Sequence, residues 1–227
     1  MINDLLNYDL KIYQDDNAFK FSMDSVLLAE FVNINYRCKN IIDLCSGNAP
    51  IPMILSTKFN KNIIGVELQK KIYDLGIKSV KINDIKNIEL INEDVNNIIE
   101  KFNYKFDIIT CNPPYFKVNK NSKVNDYNIK AIARHELYIT LEDIIRISSK
   151  IILDSGSLYL VHRCDRLVEL IDLLKKYNFG LRKLQFVYDN ERSDSCFLLV
   201  EAKYRCKSDL KVLKPLYISK YLEEKWK

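Results

Sequence analysis

The chain has 227 residues, of which 48% are hydrophobic and 29% charged, the profile of one soluble globular domain; disorder, collagen and coiled coil are excluded. Lys and Arg total 35 against 30 Asp and Glu, and the net charge of +5 permits a nucleic-acid partner without requiring one. Six cysteines (Cys38, Cys45, Cys111, Cys164, Cys196 and Cys206) form no Cys-x-x-Cys pair and only two histidines are present, so no metal is expected.

In chain order, Leu10 to Tyr13 and Ala18 to Phe21 flank the turn signal Asp15-Asp16-Asn17 and predict a small N-terminal hairpin, followed by a helix over Asp24 to Val32. From Asn40 onward short apolar runs alternate with helical spacing. Strands are expected at Ile41 to Leu44, Asn62 to Val66, Ile88 to Ile91, Phe106 to Cys111 and Ser157 to His162. Helices are expected at Ile51 to Phe59, Gln69 to Asn83, Val95 to Phe102, Leu141 to Leu153 and Asp165 to Tyr177. Two β-rich runs, Leu181 to Tyr188 and Cys196 to Tyr204, predict an antiparallel C-terminal hairpin. The alternation implies an α/β fold: a Rossmann-like, mostly parallel seven-stranded sheet with right-handed crossovers. A single domain over residues 1–227 is expected, with the hairpin and helix in 1–39, the core in 40–204 and a basic tail in 205–227.

The opening residues lack the basic-then-apolar order of a signal peptide, and no apolar run approaches the roughly 20 residues that span a bilayer. Reduced thiols fit the cytoplasm. No membrane partner is expected, and a monomer is favoured over an oligomer.

In an open parallel sheet the ligand lies beyond the carboxyl ends of the strands. The first core strand ends in Asp43-Leu44-Cys45-Ser46-Gly47-Asn48-Ala49, where Gly47 lets backbone approach a ligand and Cys45 lies in the same turn. The next strand reaches Glu67, about twenty residues after Gly47, the spacing at which an acid takes both ribose hydroxyls. Asp94 stands where it could accept from an adenine amino group, with Leu68 and Val95 on the ring faces. Asp43 ends a buried strand and needs a partner, for which a cofactor α-amino group is suitable. Asp24 is read either as a helix cap or as a residue closing over the cofactor. Taken singly, a turn glycine and a solvated acid explain Gly47 and Glu67 as well.

The fourth core strand runs into Asn112-Pro113-Pro114-Tyr115. Two prolines fix the backbone, so the Asn112 side chain and the Pro113 carbonyl can aim at one point. Such a pair suits a planar amino group, whose two N–H bonds it would accept while Tyr115 stacks on the attached ring. Catalysis is then positioning plus electrostatics, with no strong base required.

These residues resemble the class I S-adenosylmethionine-dependent methyltransferases whose (Asp/Asn)-Pro-Pro-(Tyr/Phe) tetrad methylates exocyclic or amide nitrogens. Residues 19–28, 43–48, 112–116 and 131–136 are similar to the bacterial tRNA1(Val) (adenine(37)-N6)-methyltransferase family. The resemblance implies transfer of a methyl group from S-adenosylmethionine to N6 of the adenine beside a tRNA anticodon. It carries over Asp43, Gly47, Glu67 and Asp94 as cofactor contacts and Asn112, Pro113 and Tyr115 as the grip on the target amine. Ala49 departs from the glycine more frequent there.

Phe116, Lys117, Lys120, Lys123, Arg134 and His135 lie between the tetrad and Thr140 and are expected to contact the RNA; a solvated loop is the plain alternative. For His135 an RNA-contacting or structural role is preferred to proton transfer. A glutamine side-chain amide in a protein is the second reading of the acceptor, though enzymes of that kind carry a helical substrate domain ahead of the core. A non-catalytic RNA-binding module is the third.

Overall fold

The computed structural model describes residues 1–5, 8–15, 23–114 and 139–225. Strands β1 (Ile2–Asp4) and β2 (Lys11–Tyr13) form an antiparallel pair, and α1 (Met23–Phe31) follows. The core runs β3 (Ile41–Leu44), α2 (Pro50–Ser56), β4 (Ile63–Glu67), α3 (Lys70–Ile82), β5 (Ile88–Asn92), a 3-10 turn (Val95–Glu100) and β6 (Phe106–Cys111). It continues with α4 (Leu141–Ile151), β7 (Ile152–Arg163), α5 (Leu167–Lys176), β8 (Phe179–Tyr188) and β9 (Ser195–Tyr204). Two short strands, β10 (Lys211–Val212) and β11 (Leu216–Tyr217), and the helix α6 (Ile218–Lys225) close the chain.

The strand order β10-β8-β9-β7-β6-β3-β4-β5, with β11 also on β8, is the expected α/β sheet. Pairing is parallel from β5 through β7, and β9 lies antiparallel between β7 and β8. The reversal of order falls at β3 and β6, which places the crevice of a doubly wound sheet beyond their carboxyl ends.

Side chains alternate between two apolar layers, as the pleat requires. Ile42 and Leu44 of β3 with Leu158 and Leu160 of β7 face α4 and α5, where Ile144, Ile147 and Leu170 are buried. Ile41, Tyr159 and Val161 face the other way, onto Val26, Leu28, Met53 and Ile54 of α1 and α2.

Three features differ from expectation. β2 pairs with β1 at Ile2↔Tyr13, a partner ahead of it, whereas the expected second hairpin strand at 18–21 lies outside the described residues. The segment Val95–Glu100 is a 3-10 turn rather than an α-helix. The run read as a basic tail covers the exposed edge of β8: Leu184 pairs with Val212 and Tyr188 with Tyr217. Such short strands bury an edge that would otherwise present unpaired backbone groups. The final helix is fastened by Glu30, whose Oε1 accepts from Tyr8 and Tyr221 hydroxyls, each at 2.7 Å. Among the described residues no helix is long and apolar enough to cross a membrane.

Candidate active site

The turn after β3 is built from left-handed backbone. Cys45, Gly47 and Ala49 have φ of 59°, 58° and 71°, so every second residue of the turn takes a conformation that favours glycine. Ala49 occupies it at the start of α2, where Pro50 then supplies a preset φ for the first helical turn. A Cβ added at Gly47 would meet no atom within 4 Å, so the backbone there borders open space. Gly76 of α3 makes room behind: its added Cβ would stand 3.5 Å from the Gly47 carbonyl oxygen and 2.9 Å from Leu90.

Glu67 holds this turn. Its Oε2 accepts from Gly47 N–H at 2.9 Å and its Oε1 from Gln69 N–H at 2.8 Å. The residue is only 8% exposed, and burial raises its carboxyl above the usual range against those two hydrogen bonds. Each carboxylate oxygen accepts more than one bond, so both remain able to take a ribose hydroxyl. Asn92 at the end of β5 ties the neighbouring ends together, donating to the carbonyls of Glu67 and Leu68 at 2.8 and 2.9 Å.

Asp43 is fully buried at the floor of the crevice. Thr110 of β6, its register partner, donates to Oδ1 at 2.6 Å. Oδ2 finds no hydrogen-bond partner among the described residues. Burial pushes this carboxyl up to about 7, the Thr110 hydroxyl pulls against that shift and the Glu67 charge adds to it. An orphaned buried acceptor below an open glycine cradle fits a ligand that carries a cationic donor and a ribose.

At the third strand end, Asp94 caps the 3-10 turn, its Oδ1 accepting from the backbone and side-chain nitrogens of Asn96 at 2.8 and 3.0 Å. Asn96 in turn accepts from Arg146 of α4 at 3.2 Å. Val95 is buried at the start of the 3-10 turn and Leu68 is exposed directly after β4. The Cys45 and Cys111 side chains lie beside each other, and burial followed by that contact holds the Cys111 thiol well above its ordinary range. A neutral thiol of this kind packs rather than attacks.

Asn112 and Pro113 extend directly from β6 at the same edge, with Pro113 buried and Asn112 half-buried. Asn112 Nδ2 donates to Ser25 Oγ at 2.8 Å. Ser25 and Asp24 are both buried in the first turn of α1, and Asp24 Oδ1 accepts from the Ser25 N–H at 2.8 Å. Asp24 therefore lies inside α1 rather than ahead of it. Tyr115, Phe116, Lys117, Lys120, Lys123, Arg134 and His135 lie outside the described residues. His162, at the end of β7, is buried, which lowers its imidazole to about 4 and keeps it neutral.

Sequence reading did not single out Ser25, Thr110, Asn48 or Asn83. Asn48 donates to the Tyr13 carbonyl at 2.7 Å, and Asn83 both accepts from Lys11 N–H at 2.8 Å and donates to its carbonyl at 2.7 Å. These bonds moor the N-terminal hairpin to the turn after β3 and to α3.

Comparison with known proteins agrees with this architecture. The model of the methyltransferase small domain family matches residues 16–166. The tRNA1(Val) (adenine(37)-N6)-methyltransferase of Cytophaga hutchinsonii is 24% identical over 79% of this chain and 75% of its own length. The protein of the same name from Aliivibrio salmonicida is 26% identical over the same shares. A predicted O-methyltransferase from Agrobacterium tumefaciens superposes with a TM-score of 0.68 at 23% identity, covering 86% of this chain and 87% of its own. M. jannaschii TYW2 in complex with AdoMet superposes with a TM-score of 0.59 at 14% identity, over 86% and 82% of the two chains.

Proposed function

The chain belongs to the methyltransferase small domain family, and from that premise we propose that it methylates the exocyclic N6 of an adenine in tRNA, at position 37 beside the anticodon. The methyl donor is S-adenosylmethionine, which supplies an electrophilic methyl on a sulfonium and leaves as a neutral thioether. Asp43, Gly47 and Glu67 fit this cofactor, through an orphaned carboxylate oxygen for its ammonium, an open backbone cradle and a carboxylate for its ribose. Asp94 would accept from its adenine amino group through Oδ2, Oδ1 being held by Asn96. Asp24, Cys45, Leu68 and Val95 complete the proposed lining.

The observation that carries the acceptor reading is the junction of β6 with Asn112-Pro113-Pro114, at the same sheet edge as the Asp43–Glu67 turn. Asn112 Oδ1 and the Pro113 carbonyl would accept the two N–H bonds of the amine and draw its lone pair out of conjugation. As the new N–C bond forms, the nitrogen proton becomes acidic and passes to solvent without a dedicated base. Tyr115 would stack on the adenine, and Phe116, Lys117, Lys120, Lys123, Arg134 and His135 would hold the RNA around it. The tRNA acceptor is supported by the names of the curated relatives, and such a substrate implies work in the cytoplasm. Nucleoside analysis of tRNA from cells lacking the protein tests this reading. The expected result is loss of one N6-methyladenosine from one tRNA, and an unchanged nucleoside profile contradicts it.

A further inference from the structure

A carboxamide has a donor end and an acceptor end of nearly equal size, related by a half turn about its last bond. Only one of the two orientations at Asn112 offers oxygen to an incoming amine. Rigid prolines after Asn112 fix its backbone but do not decide this choice. One contact that bears on it comes from a residue 87 positions earlier, where Ser25 Oγ accepts from Asn112 Nδ2 at 2.8 Å. Ser25 is 5% exposed and sits in the first turn of α1 beside the buried Asp24, whose Oδ1 holds the Ser25 N–H at 2.8 Å. An acid one residue away favours the donor end of the amide on this side and disfavours the oxygen.

We infer that Ser25 is a positioning residue for methyl transfer: with Asp24 behind it, it holds the nitrogen end of the Asn112 amide and so turns Oδ1 toward the acceptor amine. The inference rests on the acceptor reading proposed above, but the orientation of the amide can be measured without any substrate. Asparagine-labelled protein, free of cofactor, is compared with Ser25→Ala by amide exchange of the Asn112 side chain. The proton facing Ser25 exchanges at least about tenfold more slowly in the unsubstituted protein. Equal exchange in the two proteins overturns the inference.

Turnover on tRNA supplies the second arm. Ser25→Ala lowers kcat on the order of tenfold while the KM for tRNA and the affinity for S-adenosylmethionine change less than about twofold. In an Asn112→Asp background the same substitution costs less than about threefold, because a carboxylate presents an oxygen in either orientation. Equal losses in both backgrounds indicate a merely structural serine and overturn the inference. If the unsubstituted protein methylates no tRNA, the acceptor reading has failed, and the exchange comparison still decides the role of Ser25.

Discussion

Thr110 donates to Asp43 Oδ1 at 2.6 Å across the β3–β6 pair, so this buried carboxylate is held by the strand that ends in the Asn112-Pro113 corner. The floor of the proposed cofactor site and the strand that leads to the proposed acceptor grip are thereby a single unit. Oδ2 has no hydrogen-bond partner among the described residues, and the buried carboxyl is expected to make the ligand-free protein sensitive to pH.

A carboxyl raised by burial favours folding while it is protonated. For Asp43 that contribution is complete below about pH 4, the ordinary aspartate range, and is lost as pH rises through about 7. The raised Glu67 carboxyl acts with the same sign. Thermal melts of the ligand-free protein are expected to fall from pH 5 to pH 8, and Asp43→Asn to flatten that fall. S-adenosylmethionine is expected to run opposite, because in the proposed site its ammonium would pair with the ionised form, so affinity should rise over the same interval by up to about tenfold per pH unit. Identical pH profiles for the protein and Asp43→Asn would contradict this assignment.

Gly47→Ala separates a turn glycine from a ligand cradle. The left-handed φ of 58° makes alanine strained, at a cost of roughly 1 kcal/mol, or a few degrees in Tm. The added methyl meets no atom of the described residues within 4 Å, so it projects into the open space that the proposed cofactor would fill. Cofactor affinity is expected to drop more than about tenfold, beyond the backbone strain alone. Isothermal titration with the demethylated product checks this, and unchanged affinity would make Gly47 a turn residue only.

Asn112→Ala and Glu67→Ala should fail in opposite ways. Losing the amide oxygen would remove the acceptor proposed to act in the transition state, lowering kcat by about a hundredfold or more with cofactor affinity retained. Losing Glu67 leaves Gly47 N–H and Gln69 N–H without their acceptors and weakens cofactor binding first. Equilibrium binding and single-turnover rates on the two variants, side by side, distinguish the roles.

Replacing Lys117, Lys120 and Lys123 with alanine is expected to weaken RNA binding and to flatten its dependence on salt. Three lost phosphate contacts reduce the slope of log K against log salt by about 2 for single-stranded RNA. An unchanged slope would remove that segment from the RNA surface.

The core was legible because buried parallel strands leave continuous apolar runs, such as Ile41-Ile42 and Ile63-Ile64, between segments of helical period. That Gly47 and Glu67 meet at one edge of the sheet was legible because the turn after one parallel strand faces the end of the next in a fixed crossover pattern. Short, half-exposed β1 and the two-residue strands β10 and β11 carry too little side-chain alternation to be seen. They form because β2 and β8 offer edges to pair with. Ser25 and Thr110 escaped notice for another reason: their partners lie 87 and 67 positions away, and a single serine or threonine in an apolar segment carries no spacing signal.

Incubation of the purified protein with methyl-labelled S-adenosylmethionine and unmodified tRNA, followed by nucleoside digestion, tests the central claim most directly. The label is expected in N6-methyladenosine, at the nucleotide beside the anticodon, and absent when Asn112→Ala replaces the protein. Label recovered in protein glutamine, or in another position of the nucleoside, would contradict it.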